Sequence, residues 1–336
     1  MPPLPAGRRR YVGQFILRRL LITIPVLVGV TLLSFFLINL APGDAVTAYI
    51  DPITRAELGE DWVEMRRQQL GLDDPVYIRY VYWLREIVQG NLGFSLISGQ
   101  AVSEQIVSRL GPTSLLMGTA LLIGTVVGIP LGILSAVRQY SVLDYVTTVG
   151  GFLTISTPSF FLGLGLVYLF AVRWSVFPSS GMRTLGQDES ALDVMRHMIL
   201  PATVLAMAQT PLVMRYARST MLEVLRQDYM TTARAKGLRE RVVLTVHGFR
   251  NALIPLITIV GLSLPELLSG AVITETIFQW PGMGTLAVRA VTARDYPVIL
   301  GVILVTAAMV LLANLLADIL YAVADPRIRL QGRKGG

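Results

Sequence analysis

The sequence predicts an all-α polytopic membrane protein with six transmembrane helices and a helical cap in its first outer loop. Three observations carry this prediction. The 336 residues are 53% hydrophobic and only 15% charged, against about 25% charged in an ordinary soluble domain. The apolar residues gather in six stretches, Leu20–Leu40, Thr113–Val137, Tyr145–Val172, Met198–Met214, Asn251–Thr274 and Pro297–Ala317, of 21, 25, 28, 17, 24 and 21 residues. Spanning a bilayer takes roughly 20 apolar residues, with a range of about 17–25. Finally, the net charge of +7 sorts by side of the predicted membrane. A soluble enzyme, a disordered tail and, with no cysteine, a disulfide-stapled secreted domain are excluded.

Six spans put both termini and the second and fourth loops on one face. That face collects 18 basic residues against five acids, a net of +13, while the opposite face nets −4. Cytoplasmic loops retain Lys and Arg, so the basic face is predicted to be cytoplasmic. The basic residues hug the membrane without interleaved aromatics, which argues against nucleic acid as a partner. Arg8–Arg10 precede an apolar run of 21 residues, longer than the roughly 7–15 of a secretory signal. The run therefore reads as a retained first span.

In chain order, residues 1–14 form a cytoplasmic tail and 15–41 the first span. Residues 42–112 form an outer loop with three short helices. The first, Asp61–Gln69, stops at Gly71; the second starts from an Asp74 cap and Pro75; the third, Ser103–Leu110, ends at Gly111-Pro112. The loop either packs on the tops of the spans or meets a partner. A five-helix core over 113–325 follows, with spans at 113–137, 145–172, 198–219, 251–274 and 297–321, then a tail at 326–336. Gly124, Gly128 and Gly132, spaced four apart in the second span, let helix backbones approach closely. Pro130 and Pro158 are expected to kink their helices. Neither a periodic repeat nor an inverted half-repeat is present.

Residues 220–250, between the fourth and fifth spans, are the least membrane-like helical stretch on the basic face. Asp228 is expected to cap a short helix through Lys236, and Gly237 to end it with φ > 0. That helix is small on one side (Ala233, Ala235) and basic on the other (Arg234, Lys236). It suits insertion into an acidic-rimmed groove of another protein; the alternative is a solvated charged loop. Catalytic and cofactor chemistry is missing. The two histidines fall on opposite faces, and neither lysine stands in a P-loop context. No metal centre, nucleophile pair or nucleotide site is expected in this chain. Two intramembrane carboxylates remain. Glu266 either lines a pathway or bonds between helices. Asp318, on one helix face with Asn314, has Arg215 or Arg218 as expected partners.

These residues carry a resemblance. Leu17-Arg-Arg-Leu-Leu with Pro25, Ala41-Pro-Gly-Asp44, Gln69-Leu-Gly-Leu-Asp-Asp-Pro75, Gly90-Asn-Leu-Gly-Phe-Ser95, Pro281-Gly-Met-Gly284, Arg294-Asp-Tyr-Pro297 and Asp325-Pro-Arg-Ile328 match one family. The chain resembles, from about Phe15 to Arg329, the permease subunit of ATP-binding-cassette (ABC) importers of the dipeptide/oligopeptide/nickel class, in its OppB/DppB-like branch. The most specific segment, Asp228-Tyr-Met-Thr-Thr-Ala-Arg-Ala-Lys-Gly-Leu238 continuing to His247–Pro255, resembles the EAA coupling loop. Thr231 and Thr232 stand where Glu and Ala are usual, and Arg250 where proline is usual.

The resemblance implies a type I importer permease in the bacterial inner membrane that supplies half a transport pathway. It implies that Asp228, Tyr229, Thr232, Ala233, Ala235, Lys236, Gly237 and Arg241 meet an ATPase. Implied partners are a second permease, two ATPase subunits that bind ATP and Mg, and an extracytoplasmic substrate-binding protein. Peptide is the implied substrate, with a nickel chelate or another small solute as the alternative. The competing class is a secondary transporter or channel driven by an ion gradient.

Overall fold

A computed structural model describes residues 6–40, 59–69, 71–186 and 190–324. Within these, the side chains of residues 264–270, Glu266 among them, lie outside the described set. Helix α1 covers Ala6–Leu40, α2 Glu60–Gln69, α3 Val76–Val88 and α4 Val102–Val137. Then come α5 (Val142–Ser156) and α6 (Ser159–Leu166), the latter running on as a π-helical turn to Arg173. Helix α7 (Ala191–Leu225) leads to α8 (Asp228–Ala235) and α9 (Glu240–Val242). A second π-helical stretch, Val243–Phe249, joins α9 to α10 (Arg250–Leu262). The order closes with α11 (Leu264–Ile277), α12 (Met283–Ala293) and α13 (Tyr296–Ala324). The described residues hold no β-strand, only an isolated bridge between Phe94 and Ala101.

Among the described residues four helices, in α1, α4, α7 and α13, are long and apolar enough to cross a membrane. Two bent pairs pass the same test only together: Val142–Ser156 with Ser159–Arg173, bent by 102°, and Glu240–Leu253 with Pro255–Gly261, bent by 45° and beginning before the predicted fifth span at 251–274. The sharper break has a local cause. Proline lacks an N–H and pushes its predecessor out of the helical region; Thr157 is accordingly extended at φ −90°, ψ 125°. Proline does not always win, however. Helix α4 continues through Gly111-Pro112 and Pro130, so the expected stop at Gly111 and separate third helix are corrected. Proline is tolerated inside membrane helices where neighbours satisfy the freed carbonyl. In the outer loop α2 stops before Gly71, which takes φ +62°. Pro75, not Asp74, is the cap residue of α3.

The chain divides into two compact units: Met1–Ile16 with Ser114–Trp280 and Val310–Gly336, and Leu17–Thr113 with Pro281–Met309. In the first unit the glycine stripe of α4 faces α7. A Cβ on Gly124 would meet the Gln209 side chain at 3.1 Å, one on Gly128 the Thr210 carbonyl at 2.9 Å, and one on Gly132 the Ala217 Cβ at 2.7 Å. Only glycine permits this approach. Leu116, Met117 and Ala120 of α4 then pack on Met198, Ala202 and Leu205 of α7.

The second unit joins segments remote in sequence. Asp295 accepts the Ser95 hydroxyl and, at 3.1 Å, the Leu96 N–H. Pro297 lies 3.9 Å from where a Gly93 Cβ would stand. The Gly90–Ser95 and Arg294–Pro297 segments are thus two halves of one joint. The Met283 N–H bonds Thr113 Oγ1 at 2.8 Å, and Met283 enters a core with Val102, Ile106 and Val298. Phe35, Tyr80 and Leu300 form a smaller cluster, in which the Tyr80 and Thr31 hydroxyls bond at 3.1 Å.

Candidate functional site

The loop after α7 is built as a helix held by one face. Leu225 ends α7, and Gln227 turns extended at φ −75°, ψ 147°. Gln227 is therefore the cap residue of α8, and Asp228 is its first helical residue rather than its cap. A carboxylate in the first turn still suits the positive end of the helix dipole. Lys236 closes the helix by donating to the Thr232 carbonyl at 3.1 Å; Gly237 then donates to the Arg234 carbonyl at 2.9 Å with φ +76°. An L-residue rarely adopts that φ, so glycine belongs at this turn.

Met230 and Ala233 point inward and are 0% and 5% exposed. They join Ala136 of α4, Ala217, Met221 and Val224 of α7, Val243 of the π-helical stretch, and Ala252 and Leu256 of α10. Burying a methionine of this kind contributes roughly 1.5–3 kcal/mol. A Cβ on Gly248 would stand 2.8 Å from Met221 Cε, so the π-helical stretch presses close on the same cluster. Such stretches occur mostly as single turns and often at functional sites.

The outward face carries the rest. Asp228, Tyr229, Thr231, Thr232, Arg234, Ala235, Lys236, Gly237, Leu238 and Arg241 are exposed. Arg234 is bonded to Glu240 at 3.0 and 3.3 Å, so the basic character of this face rests on Lys236, Arg239 and Arg241. Among the eight sequence-predicted loop residues, seven share this exposed surface. Ala233 does not: its methyl serves the protein's own core, and the expectation that it meets a partner is corrected. Its fixed spacing from Met230, i to i+3, puts both on one helix face.

Sequence reasoning did not single out Ser135, Asp144 or Glu275. Asp144 of α5 accepts two bonds from the Arg218 guanidinium of α7, both at 2.9 Å, and one from the Ser135 hydroxyl of α4. Arg218 therefore pairs with Asp144 rather than with Asp318, as had been one expectation. The available signal was weak: Asp144 opens an apolar run three residues after Ser141, whose hydroxyl caps α5 by accepting the Asp144 N–H at 3.3 Å. That pattern announces a helix start, not an ion pair. Glu275 was also missed as a buried carboxylate; it is 0% exposed beside the fully buried Trp280, whose N–H donates to the Glu275 carbonyl at 2.8 Å. The described residues contain no cluster of metal-ligating side chains.

Residues 128–330 match the family described as the binding-protein-dependent transport system inner membrane component, and residues 12–117 match its N-terminal region. The chain is 45% identical over 317 residues to the oligopeptide transport system permease protein AppB of Bacillus subtilis, covering 94% of this chain and 99% of that one. It is 41% identical over 343 residues to the dipeptide transport system permease protein DppB of Escherichia coli K12, covering 94% and 98%. An inward-facing structure of the MetNI methionine ABC transporter shares the fold, with a TM-score of 0.54 at 16% identity over 65% of this chain and 95% of that one. The chain belongs to the inner-membrane components of binding-protein-dependent transport systems, the non-catalytic permease subunits of ABC importers.

Proposed function

We propose that this subunit supplies half of a peptide pathway across the bacterial inner membrane and takes its driving force through α8. Both termini face the cytoplasm on this reading, consistent with the +13 charge of that face. A second, similar permease completes the pathway, two ATPase subunits bind ATP and Mg inside, and a binding protein delivers substrate outside. Peptide, di- or oligopeptide, is favoured by the names of the relatives at 45% and 41% identity. Glu266 is assigned to the pathway on its mid-span position alone; a Glu266→Gln variant that transports normally would remove it.

The observation that carries the coupling role is the two-sided construction of α8. Met230 and Ala233 anchor it, while Tyr229, Thr232 and Ala235 stand uncovered on a short helix with Lys236 exposed at its end. An exposed helix of small and polar residues fits a groove, and its basic neighbours fit an acidic rim. ATP-driven closure of the ATPases then biases the bundle between two packings, through differential affinity for each. Ala235→Asp and Thr232→Asp test this. Each is expected to cut ATPase co-purification at least tenfold with no loss of membrane insertion. Full retention of the ATPases by both variants would end the docking reading.

A further inference from the structure

The stem from which α8 hangs is pinned by the Asp144–Arg218–Ser135 cluster. Arg218 lies seven residues before Leu225, the last residue of α7, about 10 Å along the axis at 1.5 Å per residue. Its Nε and Nη2 donate to the two oxygens of Asp144, each at 2.9 Å, and Nε also lies 3.1 Å from Ser135 Oγ. The Tyr140 N–H donates to Asp144 at 3.0 Å. Ser135 is fully buried and Asp144 nearly so. The partly exposed Arg218 opens on a cleft of about 860 Å³ whose other charged groups are Arg215, Glu223 and Arg226.

The pin supplies what the surrounding contacts lack. Between α4 and α7 the contacts are close approaches of glycine to backbone and small side chains, with Leu116 and Met117 packed on Met198 and Leu205; van der Waals contacts of that kind are individually weak and non-directional. A two-pronged guanidinium–carboxylate bond has one geometry. On the other side of the pin, Met221 and Val224 of the stem share a core with Met230 and Ala233 of α8, so a displacement of α8 carries the stem with it. We infer that Asp144, Arg218 and Ser135 are positioning residues for energy coupling, tying the stem of the coupling helix to α4 and α5 so that the three helices respond to the ATPases as one body. The inference rests on the docking role proposed for α8.

The test uses the complete transporter, with its partner permease, ATPases and binding protein, reconstituted in liposomes. The quantity read is the stimulation of ATP hydrolysis by the binding protein. Asp144→Asn, close in shape but uncharged, is expected to reduce that stimulation at least tenfold with unchanged ATPase co-purification. Arg218→Lys, which keeps the charge and loses the fork, should fall in between. Ser135→Ala, the mildest change, should cost about threefold and serves where Asp144→Asn does not insert. Arg218→Gln on top of Asp144→Asn should add no further loss, since both remove one bond. Wild-type stimulation in Asp144→Asn or Ser135→Ala overturns the inference, as does a loss that only follows subunit yield. Failure of docking is separate: it shows as full ATPase retention by both Ala235→Asp and Thr232→Asp, whatever Asp144→Asn does.

Discussion

Helices α1 and α7 are each 35 residues long and differ in almost everything else. The most apolar stretch of α1 has a mean hydropathy of 2.6 and is 11% buried; that of α7 has 1.3 and is 67% buried. In a water-soluble protein the more apolar helix is the core. Here the order is inverted, because lipid tails solvate leucine as well as a protein interior does. The inner helix is chosen instead for what lipid cannot do: it accepts close backbones and satisfies polar groups. Accordingly α7 carries Arg218, bonded to Ser135 and Asp144, and receives the glycines of α4. Described residues of α1 bury chiefly Thr31 and Phe35.

The contrast breaks most sharply with one substitution made in both places. Gly132→Leu on α4 has to displace the backbone and Ala217 methyl of α7, and should destabilise by about 3 kcal/mol. Gly29→Leu on α1 meets nothing within 4 Å and should stay within about 0.5 kcal/mol. Thermal unfolding of the two variants in detergent checks this, and equal losses would dissolve the distinction between the packed and the exposed helix.

The same reasoning sharpens the coupling loop, where two alanines two residues apart should behave oppositely. Ala233→Asp buries a carboxylate among Met221, Met230 and Val243, at a cost of about 2–3 kcal/mol. Ala235→Asp lies in solvent and should leave unfolding unchanged while weakening ATPase binding. A loss of stability in both would mean that α8 is more deeply seated than its exposure indicates. The mildest of the destabilising changes is Gly237→Ala: no atom lies within 4 Å of the new methyl, so only the φ of +76° opposes it, at about 1 kcal/mol. Asn in its place should recover part of that, since it tolerates the left-handed region.

Local features were legible in the sequence and pairings were not. Apolar length announced the long apolar helices, and the spacing of Gly124, Gly128 and Gly132 announced a close helix contact. The glycine at 237 announced its turn through φ alone. Asp144 and Arg218, 74 residues apart, left no local trace of their bond, because a non-local contact has no periodicity to read. Gly111-Pro112 misled because the same dipeptide that ends a helix in water is accepted inside a packed membrane helix. Ala233 misled for a different reason: a small residue suits a partner's groove and the protein's own core equally well, and only its phase relative to Met230 decides.

The π-helical stretch at Val243–Phe249 works as a phase shifter. One residue more than an α-helical turn requires is accommodated there, and each residue of an α-helix advances the side chains by about 100°. Winding the same 7 residues at the ordinary α-helical pitch would rotate everything beyond them by about that angle. Ala252 and Leu256 would swing off the cluster that seats α8. A tract that can be lengthened or shortened in a surface loop without consequence is here a counted spacer, and its winding sets the alignment between α8 and the helix that follows it.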